Sequence, residues 1–395
     1  MSYDWTKSID RTNTGSYKWM QMKDWCPEVK EGIFPFSVAD CDISPTDELK
    51  AGLIEFVKTG VFGYTGATEG YLKAVCDWLE RRHHYRIDKE WIVLSSGVVP
   101  SIYTSINAYT KEGDGIIIQQ PVYYPFMKSI NETNRKIVNN ALIDNDGHYE
   151  IDFEDLESKA KDPKNTMMVF CSPHNPVGRV WTKEELTKVG EICADNNVIL
   201  ISDEIHFDLV RPGYKHTIMA TLNEKIAQNT VTLTAPSKTF NIAGLQTSNI
   251  IIENERLRNL FKATSSRNGF HTLNAFGFKA CEIVYTQSEK WLDDFIALIY
   301  KNADTLKDYM EKELPMIKVY TLEGTYLQWM DFSALNMSNE ELEKFLHKDC
   351  QLFFDEGYIF GSEGNGFERM NIACPTVMML EGLERLKTEL KKRGY

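Results

Sequence analysis

The sequence predicts an α/β fold in which a mostly parallel central sheet is covered by helices on both faces, with a smaller α+β domain beside it. From about residue 90, short apolar runs alternate with amphipathic stretches, which is the pattern of parallel α/β sheets. After about residue 286 the pattern changes to helices and an antiparallel pair of strands. The 395 residues, 43% hydrophobic and 26% charged, suffice to bury a large core.

Five apolar runs are the predicted strands of the sheet, because each is too short for a helix. They lie at 115–120, 166–172, 198–204, 230–234 and 248–253. A connecting helix is predicted over 182–197, where Thr182 takes the N-cap and Glu185 follows three residues later, as in a capping box. Apolar strands joined by such helices are typical of a parallel sheet that is buried on both faces.

The C-terminal part of the chain predicts the smaller domain. Its patterns predict a long amphipathic helix, a hairpin and two further helices, at 288–314, 317–332, 339–350 and 376–395. The hairpin is centred on Glu323 and Gly324. We therefore predict a large domain over 45–285 and a small domain built from 1–44 and 286–395.

Charge and cysteine content narrow the possible functions. A net charge of −13 argues against nucleic acid and anionic membranes as partners, since both require a basic patch. The N-terminus lacks the apolar core of a signal peptide, and no window of 18 apolar residues follows. The eight cysteines show no C-x-x-C spacing, and the adjacent His83 and His84 would point apart on a helix. We expect a cytoplasmic protein with reduced thiols and no metal site.

Three polar residues stand at the carboxyl ends of consecutive predicted strands. Asn175 follows the strand at 166–172, Asp203 lies at the end of the next strand, and Lys238 follows the one after that. Because ligands of open α/β sheets bind at this edge, we expect the three side chains to converge. Taken singly, Lys238 would be a solvated surface lysine, and the other two would be turn or cap residues.

An amine, a carboxylate and an amide at one edge indicate a pyridoxal phosphate site. The Lys238 amine would form an imine with the cofactor's aldehyde, and the Asp203 carboxylate would keep the pyridine nitrogen protonated. A protonated ring accepts the electron pair left on the substrate's α-carbon. The Asn175 amide can donate a hydrogen bond to the ring's phenolate oxygen without adding charge.

The segment 94–106 supplies a candidate phosphate cradle. An apolar strand end, Gly97 and a helix start would direct the backbone amides of Gly97, Val98 and Val99 at an anion, although an ordinary turn is the alternative. In the aromatic run 119–126, Tyr123 would lie flat on the pyridine ring, with ordinary core packing as the alternative.

Sequence motifs around these residues resemble those of a known family. The segments SPHNPVGRVW, SDEIHFDL and APSKTFNIAGLQTS, in this order and spacing, resemble the fold-type-I pyridoxal phosphate enzymes of the aspartate aminotransferase superfamily. The segments DRTNTGSYKW, FSVADCDI, FGYTG and GFERMNIACP resemble more narrowly its MalY/PatB-type cystathionine β-lyases, also called C–S lyases. The resemblance spans nearly the whole chain and implies the fold of that superfamily.

The resemblance also implies roles for the matched residues. Lys238 would form the internal aldimine, Asp203 would pair with the pyridinium nitrogen, and Asn175 would bond the phenolate oxygen. Arg369 would grip the substrate's α-carboxylate as a bidentate fork, whereas taken alone it would be a surface salt bridge. Tyr64 and Asn175 would also contact the substrate.

Further matched residues would hold the rest of the cofactor. The phosphate and ring contacts implied by the resemblance come from Gly97, Val98, Val99, Ser237 and Tyr123, and from Tyr64 of a neighbouring subunit. A homodimer would then be obligatory for activity.

Two positions depart from the aminotransferase pattern. Typical aminotransferases of the superfamily carry a tyrosine three residues after the pyridinium aspartate and an arginine eight residues after the lysine, where this chain has His206 and Gln246. Both departures fit the lyase subgroup. We place His206 among the cofactor-binding residues, with a buried core histidine as the alternative.

The resemblance implies β-elimination from L-cystathionine or a related cysteine S-conjugate, which yields a thiol such as homocysteine, pyruvate and ammonia. An aminotransferase is the first alternative, because the two reactions differ only in where a proton returns. A pyridoxal phosphate-binding regulatory protein is the second, although the sequence shows no helix-turn-helix arm or basic tail. The expected partners are a small amino-acid substrate and a second copy of the chain.

Overall fold

Two main β-sheets organise the computed structural model, which describes residues 3–395. The strands are β1 (Ile92–Ser95), β2 (Gly115–Ile118), β3 (Lys136–Asn139), β4 (Ile143–Asn145), β5 (His148–Glu150), β6 (Asn165–Cys171), β7 (Ile199–Asp203), β8 (Thr230–Thr234), β9 (Ser248–Ile251), β10 (Lys318–Val319), β11 (Leu327–Asp331), β12 (Asp355–Glu356) and β13 (Phe367–Asn371). The larger sheet has seven strands in the order β1-β9-β8-β7-β6-β2-β3, and β4 pairs with β5 in a separate hairpin.

The larger sheet is parallel from β3 to β8, which confirms the mostly parallel α/β prediction. All five predicted strands are present, within two residues at each end. The predicted strand at 248–253 differs in direction, because β9 runs antiparallel to both β8 and β1. Between β8 and β9 the chain forms only short helical turns and no full crossover helix, so it re-enters the sheet in the opposite direction.

Helices surround both sheets. They are α1 (Tyr17–Trp25), α2 (Asp47–Thr59), α3 (Glu69–His83), α4 (Val98–Tyr109), α5 (Pro125–Glu132), α6 (Phe153–Ala160), α7 (Lys183–Asp195), α8 (Glu224–Ala227), α9 (Pro236–Thr239), α10 (Glu255–Arg267), α11 (Ala275–Gln287), α12 (Glu289–Glu313), α13 (Asn339–Lys344) and α14 (Thr376–Lys392), with a π-helical turn at Phe345–Cys350. The predicted capping box of α7 is present, since the Thr182 hydroxyl accepts from the Glu185 backbone and Glu185 accepts from the Thr182 backbone.

Both faces of the larger sheet are buried. On β2, Ile116 and Ile118 pack into an apolar cluster with α4, α5 and α10, while Ile117 packs on the opposite face with α6 and α7. Successive residues of a strand point to opposite faces, so a run of apolar residues fits only a sheet covered on both sides.

The smaller sheet is antiparallel, in the order β10-β11-β13-β12. The predicted hairpin pairs as expected, with Lys318 opposite Asp331, but its connection is not a tight turn. Gly324 instead forms a bridge with Val210, and the buried Glu323 carboxylate accepts from the Arg179 side chain at 3.0 Å. These long-range contacts pull residues between β10 and β11 away from the sheet.

The two sheets fall on either side of residue 286, within 92–251 and within 318–371. The division into a domain over 45–285 and one built from 1–44 and 286–395 stays a prediction. Among residues 3–395, no helix has the length and apolar character needed to cross a membrane.

Candidate active site

The carboxyl ends of β6, β7 and β8 bring the three polar residues together. Cys171, the last residue of β6, lies opposite Asp203 in the sheet register, and Asp203 lies opposite Leu233 of β8. Asn175 follows β6, and Lys238 lies on the short helix α9 directly after β8. All three side chains line one cavity. The sequence prediction of a shared site at this edge therefore describes their placement correctly.

Asp203 is a buried carboxylate with few compensating contacts. The residue is 3% exposed, and its Oδ1 accepts a hydrogen bond from the Ile205 backbone N–H at 3.2 Å. Burial raises its pKa to about 7. Loss of hydration disfavours the charged form, and the single backbone donor offsets this only in part. A protonated ring nitrogen would supply the missing positive partner.

Lys238 is held at the cavity wall by a backbone carbonyl. Its Nζ donates to the carbonyl oxygen of Ala39 at 2.8 Å, and Tyr326 Oη donates to the same oxygen at 3.0 Å. Burial lowers the pKa of the Lys238 amine, against the opposing effect of the nearby Asp40 carboxylate. A lysine with a lowered pKa has a larger neutral fraction, which is the form that attacks carbonyl groups and accepts protons.

Asn175 is oriented by Arg369, which lies on β13. The Asn175 Oδ1 accepts from Arg369 Nη1 at 2.7 Å, and both residues are buried. Because the oxygen is engaged by the guanidinium, the amide NH₂ group is left as a donor. The Asn175 backbone carbonyl accepts from the Tyr123 backbone N–H at 3.0 Å, which fixes Tyr123 beside it.

The opposite end of the cavity is built from backbone amides. Helix α4 begins directly after Gly97, so the first N–H groups of the helix have no partner within it. Gly97, Val98, Val99 and Ser237 all line the cavity. Free amides at a helix N-terminus, together with a nearby hydroxyl, form an environment suited to a phosphate.

Nine of the eleven predicted site residues line this cavity: Gly97, Val98, Val99, Tyr123, Asn175, Asp203, His206, Ser237 and Lys238. Arg369 lies just beyond them and contacts Asn175. Tyr64 is not brought to the cavity of its own chain, and its side chain is fully exposed. The individual roles assigned to these residues stay predictions.

The two positions that depart from the aminotransferase pattern also line the cavity. His206 is 3% exposed, its Nδ1 has no hydrogen-bond partner within residues 3–395, and burial lowers its pKa well below the usual value. The imidazole is therefore neutral at pH 7. Gln246 is exposed and has a left-handed backbone conformation, with φ of 49°.

The sequence did not indicate two further residues near the site. Ala39 contributes only a carbonyl oxygen, which no side-chain pattern reveals. Asp355 forms a buried ion pair with Arg369, with 2.6 Å between its Oδ2 and the Arg369 Nη2. The available signal was the presence of two acidic residues, Asp355 and Glu356, inside the otherwise apolar segment LFFDEGYIF.

The cavity satisfies the chemical requirements of pyridoxal phosphate. Asp203 is a buried carboxylate that lacks a cationic partner among the contacts of the described residues, and Lys238 has an amine with a lowered pKa. The start of α4 presents free amides at the far end. These features match the ring nitrogen, the aldehyde and the phosphate of the cofactor.

Comparisons with known proteins agree with this geometry. The family model described as aminotransferase class I and II matches residues 33–386. The chain is 40% identical to the cystathionine beta-lyase PatB of Bacillus subtilis over 390 residues, which cover 99% of this chain and 100% of that protein.

Two solved structures share the fold over nearly the full length of both chains. Cystalysin from Treponema denticola, whose structure contains a pyridoxal 5′-phosphate cofactor, has a TM-score of 0.98 and 48% identity, covering 99% of this chain and 100% of that one. The pyridoxal phosphate-bound C–S lyase from Staphylococcus hominis has a TM-score of 0.91 and 32% identity, covering 99% and 98%.

Proposed function

Because this chain belongs to the aminotransferase class I and II family, we propose that it is a pyridoxal 5′-phosphate-dependent carbon–sulfur lyase. It catalyses β-elimination on L-cystathionine or related cysteine S-conjugates, giving a thiol such as homocysteine, pyruvate and ammonia. The relatives named as cystathionine beta-lyase and C–S lyase support this reaction. The observation that carries the proposal is that the Lys238 amine and the Asp203 carboxylate line one cavity.

Pyridoxal phosphate, when bound, supplies an aldehyde for the amines of lysine and substrate, and a ring that takes up electrons from the substrate's α-carbon. Asp203 would hold a proton at the ring nitrogen, and the Asn175 amide would donate to the phenolate oxygen. The amides of Gly97, Val98 and Val99 and the Ser237 hydroxyl would bind the phosphate. Tyr123 would stack on the ring, and the neutral His206 would pack beside it without adding charge.

Lys238 is the proposed general base. With its pKa lowered by burial, the freed amine would accept the proton from the substrate's α-carbon. The electron pair left on the α-carbon then forms the double bond to the β-carbon as the β-carbon–sulfur bond breaks, and the thiolate leaves with the electrons of that bond. The remaining aminoacrylate is hydrolysed to pyruvate and ammonia.

Arg369 would decide which bond breaks. Its guanidinium would bind the substrate's α-carboxylate in a fork, and Asn175 Oδ1 holds Arg369 Nη1 in place. Fixing the carboxylate turns the bond from the α-carbon to hydrogen toward the Lys238 amine.

The proposal includes a homodimer in which Tyr64 completes the neighbouring subunit's site. Tyr64 is fully exposed, and the nearby Val61 and Phe62 are exposed as well. Exposed apolar side chains in one segment support a protein interface there. A cytoplasmic location is also part of the proposal, supported by the free thiols of all eight cysteines.

Incubation with L-cystathionine tests the proposed reaction. We expect pyruvate and a thiol in equal amounts, with no keto acid added and with no activity in Lys238→Ala. Activity that requires a keto-acid cosubstrate would show that the enzyme is instead an aminotransferase. Cofactor binding without turnover of any amino acid would favour a regulatory protein.

A further inference from the structure

Asp355 faces the arginine that the proposed function assigns to substrate binding. In the smaller sheet, Asp355 of β12 lies directly opposite Arg369 of β13. Its Oδ2 accepts from Arg369 Nε at 3.3 Å and from Nη2 at 2.6 Å. Asp355 is 6% exposed and Arg369 is 2% exposed, so the pair is shielded from solvent.

The contacts of the guanidinium leave a defined set of donors. Asp355 occupies the edge formed by Nε and Nη2, and Asn175 Oδ1 occupies one hydrogen of Nη1. Of the five N–H groups of an arginine side chain, one on Nη1 and one on Nη2 then have no acceptor among residues 3–395. The Phe360 ring lies 4.7 Å from the guanidinium carbon and fixes the plane. A carboxylate that binds an arginine end-on requires one donor on each of these two nitrogens.

The same carboxylate also holds a backbone segment at the cavity. Asp355 Oδ2 accepts from the Val38 backbone N–H at 3.0 Å. Val38 has φ of 57°, a left-handed conformation that is strained for a β-branched residue and persists only where surrounding contacts impose it. The next residue, Ala39, carries the carbonyl that accepts from Lys238 Nζ. One oxygen atom therefore links the arginine to the segment that holds the lysine.

We propose that Asp355 is a positioning residue for substrate binding, which aims the free edge of Arg369 and ties it to the Val38–Ala39 segment. This inference rests on the proposed function, since it takes the Arg369 ligand to be an amino-acid carboxylate. Asp355 acts through Arg369 and does not itself contact substrate.

Asp355→Asn changes both the charge beside Arg369 and the orientation of its guanidinium, and these two effects should shift the affinity for the substrate's carboxylate in opposite directions. Removal of the negative charge alone leaves a less neutralised arginine and would tighten carboxylate binding. The neutral amide of asparagine would accept more weakly than the carboxylate from Nε, Nη2 and the Val38 N–H, so the guanidinium could turn. Substrate binding would then weaken, because small errors in geometry are costly. Weaker binding therefore identifies a positioning role.

The test uses the pyridoxal phosphate-loaded protein and follows the change in visible absorbance on titration. S-ethyl-L-cysteine is compared with S-ethylcysteamine, which lacks the carboxylate. In Asp355→Asn we expect half-saturation by S-ethyl-L-cysteine to rise by about tenfold to a hundredfold, and that by S-ethylcysteamine to change by less than about twofold. KM should rise in parallel, with a smaller effect on kcat. Glu356→Gln, the neighbouring change on the opposite side of β12, should leave both titrations unchanged.

The inference is overturned if Asp355→Asn binds S-ethyl-L-cysteine as well as or better than wild type, or if both ligands weaken equally. If Asp355→Asn does not fold, Asp355→Glu serves instead, because it keeps the negative charge but displaces the carboxylate oxygen. Weaker binding of S-ethyl-L-cysteine, with unchanged binding of S-ethylcysteamine, supports the inference. Unchanged binding of both ligands overturns it. The titration measures binding, so it supports or refutes the inference even if wild type produces no pyruvate. Absence of pyruvate would refute only the proposed reaction.

Discussion

Replacement of Asp203 by asparagine should stabilise the cofactor-free protein at high pH while impairing its function. The substitution keeps the shape of the side chain and an oxygen that accepts from the Ile205 N–H, and it removes the buried charge. A carboxylate without a cationic partner is costly in a buried site. The asparagine variant removes that cost, and the cofactor's ring nitrogen would offset it in wild type.

The size of the effect follows from the pKa of Asp203. Burial raises this pKa from 3.8 to about 7, which corresponds to about 4 kcal/mol at 1.36 kcal/mol per pH unit. The pKa of Asp203 is higher in the folded protein than in the unfolded chain, so the folded protein is more stable while this carboxyl is protonated. That stabilisation is complete below pH 3.8 and is lost as the pH rises through 7. The free energy of unfolding of cofactor-free Asp203→Asn should therefore exceed that of wild type by about 2 to 4 kcal/mol at pH 8, with a smaller difference toward pH 5.

Urea unfolding of both proteins between pH 5 and pH 8, with and without cofactor, measures this difference. In the loaded proteins we expect the order to reverse, because pairing with the ring nitrogen favours wild type. To reverse a difference of about 2 to 4 kcal/mol, the variant must bind pyridoxal phosphate more weakly than wild type by at least about thirtyfold to a thousandfold. Equal pH dependence of the two cofactor-free proteins, or a less stable variant at pH 8, would refute the view that Asp203 is an unpaired buried charge.

Three further outcomes are expected. Glu356→Gln should raise the free energy of unfolding by about 1 to 3 kcal/mol at pH 8 but not at pH 4.5. Burial raises the Glu356 pKa from 4.5 to about 7, so wild type loses stability as the pH rises through that range and this carboxyl ionises. Urea unfolding that shows no gain at pH 8 would contradict this. Arg369→Lys should raise KM for L-cystathionine by about a hundredfold in steady-state assays, since an ammonium group cannot form the fork, and an unchanged KM would exclude Arg369 from substrate binding. Mixed and refolded Tyr64→Ala and Lys238→Ala subunits should recover about a quarter of wild-type activity, because half of the dimers are hybrids with one intact site; no recovery would argue against a shared site.

The sequence predicted those parts of the site that depend on side-chain chemistry and strand ends. Asp203, Asn175 and Lys238 were identifiable because parallel strands deliver their carboxyl ends to one edge. The direction of β9 was not identifiable, because a run of apolar residues is compatible with either a parallel or an antiparallel strand.

Contacts between distant segments could not be predicted. The pairing of Asp355 with Arg369 depends on the register of β12 against β13, which the residue pattern does not specify. The Ala39 carbonyl is chemically identical to every other backbone carbonyl. The excursion between β10 and β11 follows from a buried contact of Glu323 with Arg179, well over a hundred residues apart in the chain.

Chemical trapping of the cofactor tests the central claim most directly. Borohydride reduction of the loaded protein, followed by peptide mass spectrometry, locates the lysine that binds pyridoxal phosphate covalently. We expect the label on the peptide that contains Lys238, and no label in Lys238→Ala. A label on another lysine, or none in wild type, would contradict the proposed site.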